Sequence, residues 1–172
     1  MTVVPVNSAV RGRAVRWAML GTVAVVLAAD QITKSLVLRL HPAAGSGLVS
    51  VRLVRNTGAS GGIAAGYPVL VTLAAVAIVA LAATLAVRTR SRAVAICLAA
   101  VLGGALGNLS DRLFRAPGLG RGAVVDWIHV AGRGGSFNIS DLAIQLGAVA
   151  AVVAMFAADR ARVRRPDESW SK

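Results

Sequence analysis

Residues 69–87 read VLVTLAAVAIVALAATLAV, an apolar run without one charged side chain, with Pro68 before it and Arg88 after it. A helix rises about 1.5 Å per residue, so about 20 apolar residues match the hydrocarbon thickness of a bilayer. The run predicts a membrane span. Three more runs of similar character flank it, at about Trp17–Leu38, Ala93–Leu109 with a further turn, and Ile139–Ala158. The expected fold is an all-α integral membrane protein. A single domain over residues 1–160 would carry four transmembrane helices at about 17–38, 69–87, 93–112 and 139–158, with a basic cytoplasmic tail at 161–172. Arginines ahead of the first run and small residues at Ala28 and Ala29 also fit a secretory signal peptide. The apolar pattern resumes beyond Asp30 at Ile32, Leu36, Val37 and Leu38, which favours a continuous helix.

Composition agrees with the membrane reading. Of 172 residues, 56% are hydrophobic and only 15% charged, where a soluble domain carries about a quarter charged. The net charge of +12 raises the question of nucleic acid, and the distribution answers it. Arginines gather at Arg11, Arg13 and Arg16, at Arg88, Arg90 and Arg92, and at Arg160, Arg162, Arg164 and Arg165, each group abutting an apolar run. That is the pattern of topology signals, not of a nucleic-acid face. The positive-inside rule puts both termini and the 88–92 turn in the cytoplasm, and segments 39–68 and 110–138 outside. The single cysteine, Cys97, lies within an apolar run and reads as a packing residue.

Both outer segments are glycine-rich, and each contains a short β-branched stretch, Leu48–Val54 and Val124–Val130. These predict a small extracytoplasmic β-containing segment.

Seven acidic residues are present, and three of them, Asp159, Asp167 and Glu168, fall in the carboxy-terminal region. The other four, Asp30, Asp111, Asp126 and Asp141, all map toward the outer ends of helices or to the outer loop. Ionisable groups within membrane segments are costly and point to function. Asn108-Leu-Ser-Asp111 and Asn138-Ile-Ser-Asp141 are nearly the same tetrapeptide, and residues three apart share a helix face. Each asparagine is thus expected to orient its own aspartate by hydrogen bonding. Two facing carboxylates in a partly dry site share a proton and can serve as acid and base toward a water and a carbonyl. The carbonyl end of helix three disfavours the ionised form of Asp111. A structural role is the alternative: the aspartates as helix caps or as partners of Arg112 and Arg115.

Five blocks carry a resemblance to the lipoprotein signal peptidase (signal peptidase II) family. They are Asp30-Gln-Ile-Thr-Lys34, Asn56-Thr-Gly-Ala59, Gly103-Gly-Ala-Leu-Gly-Asn-Leu-Ser-Asp-Arg-Leu113, Val124-Val-Asp-Trp-Ile128 and Phe137-Asn-Ile-Ser-Asp141. The resemblance implies an aspartic endopeptidase of the bacterial cytoplasmic (inner) membrane that cuts diacylglyceryl-modified prolipoproteins before the lipidated cysteine. It implies Asp111 and Asp141 as catalytic pair, with Asp30, Asn56, Asn108, Arg112 and Asn138 supporting or lining the site. No cofactor, metal or nucleic-acid partner is implied, and a monomer meeting membrane lipid is expected. Two departures stand out. Ser140 replaces the family's usual Ala, and its hydroxyl is expected to be able to bond to the carboxylate pair. Ser60-Gly-Gly62 follows where a Phe is common.

Other readings are weaker. Gly58-Ala-Ser-Gly61 is similar to an intramembrane serine-protease motif, but His41 and His129 both lie in outer segments, away from any helix. A serine–lysine pair would need Lys34, which is expected to snorkel to the headgroups. No HExxH-type metal spacing occurs. A small proton-coupled transporter would hold its carboxylates near the midplane, and a non-enzymatic assembly factor leaves the paired Asn-x-x-Asp unexplained.

Overall fold

The computed structural model describes residues 8–42, 45, 47–59, 63–132 and 134–163, with side chains from Gly12 to Arg160. Ser60, Gly61 and Gly62, and the basic tail from Arg164 onward, lie outside the described residues. The elements run α1 (Ser8–Leu40), β1 (Val49–Asn56), α2 (Pro68–Arg88), α3 (Arg92–Phe114), β2 (Val124–Val130), β3 (Ser136–Phe137) and α4 (Ile139–Val163). Local chemistry sets several boundaries. Pro68 opens α2 at a position where no amide hydrogen is needed. Ser91 caps α3, its hydroxyl accepting from the Val94 amide at 3.4 Å.

Helices α2, α3 and α4 are long and apolar enough to cross a membrane. Helix α1, at 33 residues, is about 50 Å long. It starts ahead of the expected Trp17 and buries Asp30 and Lys34. The bundle is apolar outside, with Leu70, Leu73, Leu81, Val153 and Phe156 each more than half exposed. Charged and polar side chains (Asp30, Lys34, Asp111, Arg112 and Asn138) are buried inside. That inversion suits a solvent of acyl chains.

Helix α3 is the central element and packs on all three other helices. Its glycines permit this. A Cβ on Gly103 would meet Val26 Cβ at 2.9 Å, and one on Gly104 would meet the Ser140 carbonyl oxygen at 2.5 Å. Small residues thus let α1 and α4 approach neighbouring faces of α3, and Gly107 lies against both Asp30 of α1 and Ser140 of α4.

The connections α1–α2 and α3–α4 leave the same end of the bundle, and there they form one antiparallel sheet of order β1-β2-β3. Val49 pairs with Val130 and Asn56 with Val124, with an irregularity between Val51 and Val54. The register sets Asn56 and Asp126 near the helix ends. The short strand β3, which lacks the length for a sequence signal, joins β2 through Ile128↔Phe137 and leads directly into α4.

Candidate active site

Two clusters of carboxylates form where the sheet meets the bundle. The first is built on charge pairs one helical turn apart. Lys34 Nζ lies 2.7 Å from Asp30 Oδ2 and 2.9 Å from Asp111 Oδ2. Arg115 Nε lies 2.6 Å from Asp111 Oδ1. Asp111 also accepts from the Val125 amide at 3.1 Å and from Gln31 Nε2 at 3.2 Å. Its two oxygens therefore receive four donors, two of them cations. These outweigh the expected effect of the α3 carbonyl end and hold Asp111 as an anion. Asp30 Oδ1 accepts from the Ser140 amide at 3.0 Å and so covers the start of α4. Lys34 does not snorkel: its side chain is fully buried, with two carboxylates available to it inside the bundle.

The second cluster is held by amides. Asn138 precedes α4 and forms a capping box with Asp141. Its side-chain oxygen accepts from the Asp141 amide at 3.0 Å, and its own amide donates to Asp141 Oδ2 at 3.1 Å. Asn108 does not orient Asp111 as expected; its Nδ2 reaches across to Asp141 Oδ1 at 2.9 Å. Lys34 Nζ donates to Asn108 Oδ1 at 3.0 Å, which fixes the amide with its NH₂ toward Asp141. Asp126, on β2, accepts from Asn138 Nδ2 at 2.7 Å and from Asn56 Nδ2 at 3.1 Å. Among the described residues, no cation lies at ion-pair distance from Asp126 or Asp141. Burial, with the neighbouring Asp141 charge second, pushes the Asp126 carboxyl up to about 6.

Asp126 and Asp141 open onto one cavity of about 680 Å³, together with Asn56, Asn108 and Arg112; Asp111 and Asp30 are not in its wall. Opposite them, Val71, Ala74, Ala75 and Ile78 of α2 form an apolar side. Arg112 Nη2 donates to the Gly58 carbonyl at 2.6 Å. Its Nη1 is buried with no partner among the described residues, a donor available to a guest in the cavity. The Ser140 hydroxyl is buried and also unpartnered among the described residues, so it does not bond to either carboxylate. Among the described residues, no group of three or more His, Cys, Asp or Glu is placed to hold a metal ion.

Of the residues singled out by sequence, Asn56, Asn108, Arg112, Asn138 and Asp141 converge, while Asp30 and Asp111 form the neighbouring charge network. Asp126 is counted among the four outer carboxylates by the sequence but receives no role in the site there. Its signal was the outer-segment carboxylate within Val124–Val130, unaccompanied by an Asn three residues before it. The asparagines that hold it come from β1 and from the start of α4.

Residues 22–157 match the family model described as signal peptidase (SPase) II. A lipoprotein signal peptidase of Rhodococcus jostii (strain RHA1) is 46% identical over 134 residues, covering 75% of this chain and 67% of the relative. One from Mycobacterium avium (strain 104) is 41% identical over 140 residues, covering 78% and 76%. The chain thus spans about two thirds to three quarters of these relatives. A solved structure described as a bacterial membrane enzyme superposes with a TM-score of 0.74, at 19% identity, over 87% of this chain and 94% of that one.

Proposed function

The chain belongs to the signal peptidase II family, and from that premise we propose that it removes signal peptides from prolipoproteins as an aspartic endopeptidase working through Asp126 and Asp141. The observation that carries the pair is their shared position: both face one cavity, both are joined by Asn138, and among the described residues neither has a cation at ion-pair distance. Like carboxylates so placed retain one proton between them. The ionised member takes a proton from a water, whose oxygen attacks the scissile carbonyl carbon. The protonated member gives its proton to the carbonyl oxygen. Return of a proton to the amide nitrogen then breaks the C–N bond and frees acid and amine. Arg112 Nη1 is the donor suited to the carbonyl oxygen as charge develops there.

The substrate class follows from the cavity's two sides. A prolipoprotein whose cysteine carries a diacylglyceryl group brings a peptide bond for the carboxylates and acyl chains for the α2 wall, each buried CH₂ contributing about 0.8 kcal/mol. In this reading α1 is the fourth span of a monomeric 1–160 domain. Both termini are cytoplasmic, the site is near the outer face of the cytoplasmic membrane, and catalysis needs no cofactor.

The pair Asp111 and Asp141, implied by the resemblance, is the second reading, favoured by the matching Asn-x-x-Asp blocks. One assay separates the two. Purified protein in lipid is given a diacylglyceryl-modified prolipoprotein, and the size shift is followed for wild type, Asp126→Asn, Asp141→Asn and Asp111→Asn, with folding checked by circular dichroism. Expected is a loss of about 10³-fold or more in the first two and residual cleavage in folded Asp111→Asn. Full cleavage by folded Asp126→Asn would return Asp111 to the pair.

A further inference from the structure

The end of the bundle opposite the sheet holds a second cavity, of about 1090 Å³, between the start of α1 and the α2–α3 turn. Its wall has two characters. Arg16, Arg90 and Arg92 contribute guanidinium groups, while Met19, Leu20 and Val87 contribute apolar surface. All three arginines are exposed, and none makes an ion pair or hydrogen bond among the described residues. The segments meeting here come from two separate parts of the chain, and each brings both arginine and apolar side chains to the cavity. Basic pockets between membrane helices suit anionic lipid headgroups.

We infer that this cavity binds one anionic glycerophospholipid of the surrounding leaflet, its phosphate among Arg16, Arg90 and Arg92 and an acyl chain along Met19, Leu20 and Val87. Guanidinium groups present paired donors to phosphate oxygens. A zwitterionic lipid offers the same chains and phosphate but adds an ammonium that three arginines repel. The site therefore selects by headgroup charge and holds by chain burial. It depends on α1 and α2 crossing the bilayer, and is independent of which carboxylates cut the substrate.

The test is native mass spectrometry of the full chain released from bilayers of equal phosphatidylglycerol and phosphatidylethanolamine. Wild type is expected to retain one phosphatidylglycerol, about 10-fold over phosphatidylethanolamine, a ratio equivalent to about 1.4 kcal/mol. The triple variant Arg16→Gln, Arg90→Gln, Arg92→Gln loses that preference. A control triple, Arg13→Gln, Arg88→Gln, Arg160→Gln, removes the same charge from exposed positions outside the cavity and keeps it. Met19→Trp fills the apolar half while leaving the arginines, and also loses the retained lipid, so the outcome does not hang on the triple variant folding. Equal retention of the two lipids by wild type overturns the inference. So does equal loss in the two triples, which would mean diffuse surface attraction, or displacement by glycerol phosphate alone, which would mean a phosphate site without a lipid. Retention by folded Met19→Trp overturns the acyl-chain seat.

Discussion

Asp111 and Asp141 stand at the same end of the same bundle, each preceded three residues earlier by an asparagine, yet their surroundings are opposite. Asp111 has Lys34 and Arg115 against it and an oxygen-by-oxygen set of donors. Among the described residues Asp141 has only amides, from Asn108 and Asn138, and shares Asn138 with Asp126. A carboxylate neutralised by cations is fixed as an anion and serves to hold helices together. One solvated only by amides keeps a free choice of protonation state, which acid–base chemistry requires. The comparison teaches that a local tetrapeptide does not determine a carboxylate's role; the charge of what packs across from it does.

The largest expected effect short of catalysis is in the cation-bearing cluster. Lys34→Met leaves Asp30 buried without its cation and Asp111 with Arg115 alone, and a cost of about 3–5 kcal/mol is expected, read as lowered stability in detergent unfolding. A change below about 1 kcal/mol would break the contrast.

A pH series sharpens it from the other side. Asp126 is raised in the folded protein from 3.8 to about 6, so its contribution to stability is fully present below about pH 4 and is lost as pH rises through 6. At about 1.4 kcal/mol per tenfold change, replacing it with Asn should improve stability relative to wild type by about 3 kcal/mol more at pH 7.5 than at pH 3.5. The kcat/KM of wild type should fall as pH rises through about 6, where the pair gives up its shared proton. A flat stability difference across that range would mean that Asp126 is not constrained as described. Smallest is Ser140→Ala. The hydroxyl lies buried without a partner among the described residues, so its removal should be neutral or stabilising by about 1 kcal/mol; a comparable loss in stability or in cleavage would reveal a bond to the carboxylates.

Much of this was legible in the chain. The α2 run, free of charge, forms Pro68–Arg88, and the Val124–Val130 stretch forms β2 with those bounds. Apolar periodicity and β-branched residues are local signals, and local signals suffice there. The early start of α1 at Ser8 was hidden because arginines are compatible with helix but not with a hydrocarbon span. The cross-helix bonds escaped for a different reason. Asn108 faces Asp141 rather than Asp111 because Gly104 and Gly107 bring α4 against α3, a contact between residues about thirty apart that no spacing rule contains. For Lys34 the i,i+4 partner Asp30 stands in the sequence, but burial of the ammonium also rests on Asp111, which lies far along the chain. The Ser60–Gly62 stretch remains outside the described residues.

Asn138 touches the two proposed working carboxylates through different nitrogens, its side-chain Nδ2 toward Asp126 and its backbone amide toward Asp141. One isotopically labelled residue thus carries two separate reporters in a single molecule. The chemical shift of one nitrogen follows the proton on the strand, and that of the other follows the proton on the helix. Their movement through a titration would distinguish a proton localised on one carboxylate from one exchanging between both, without altering either acid.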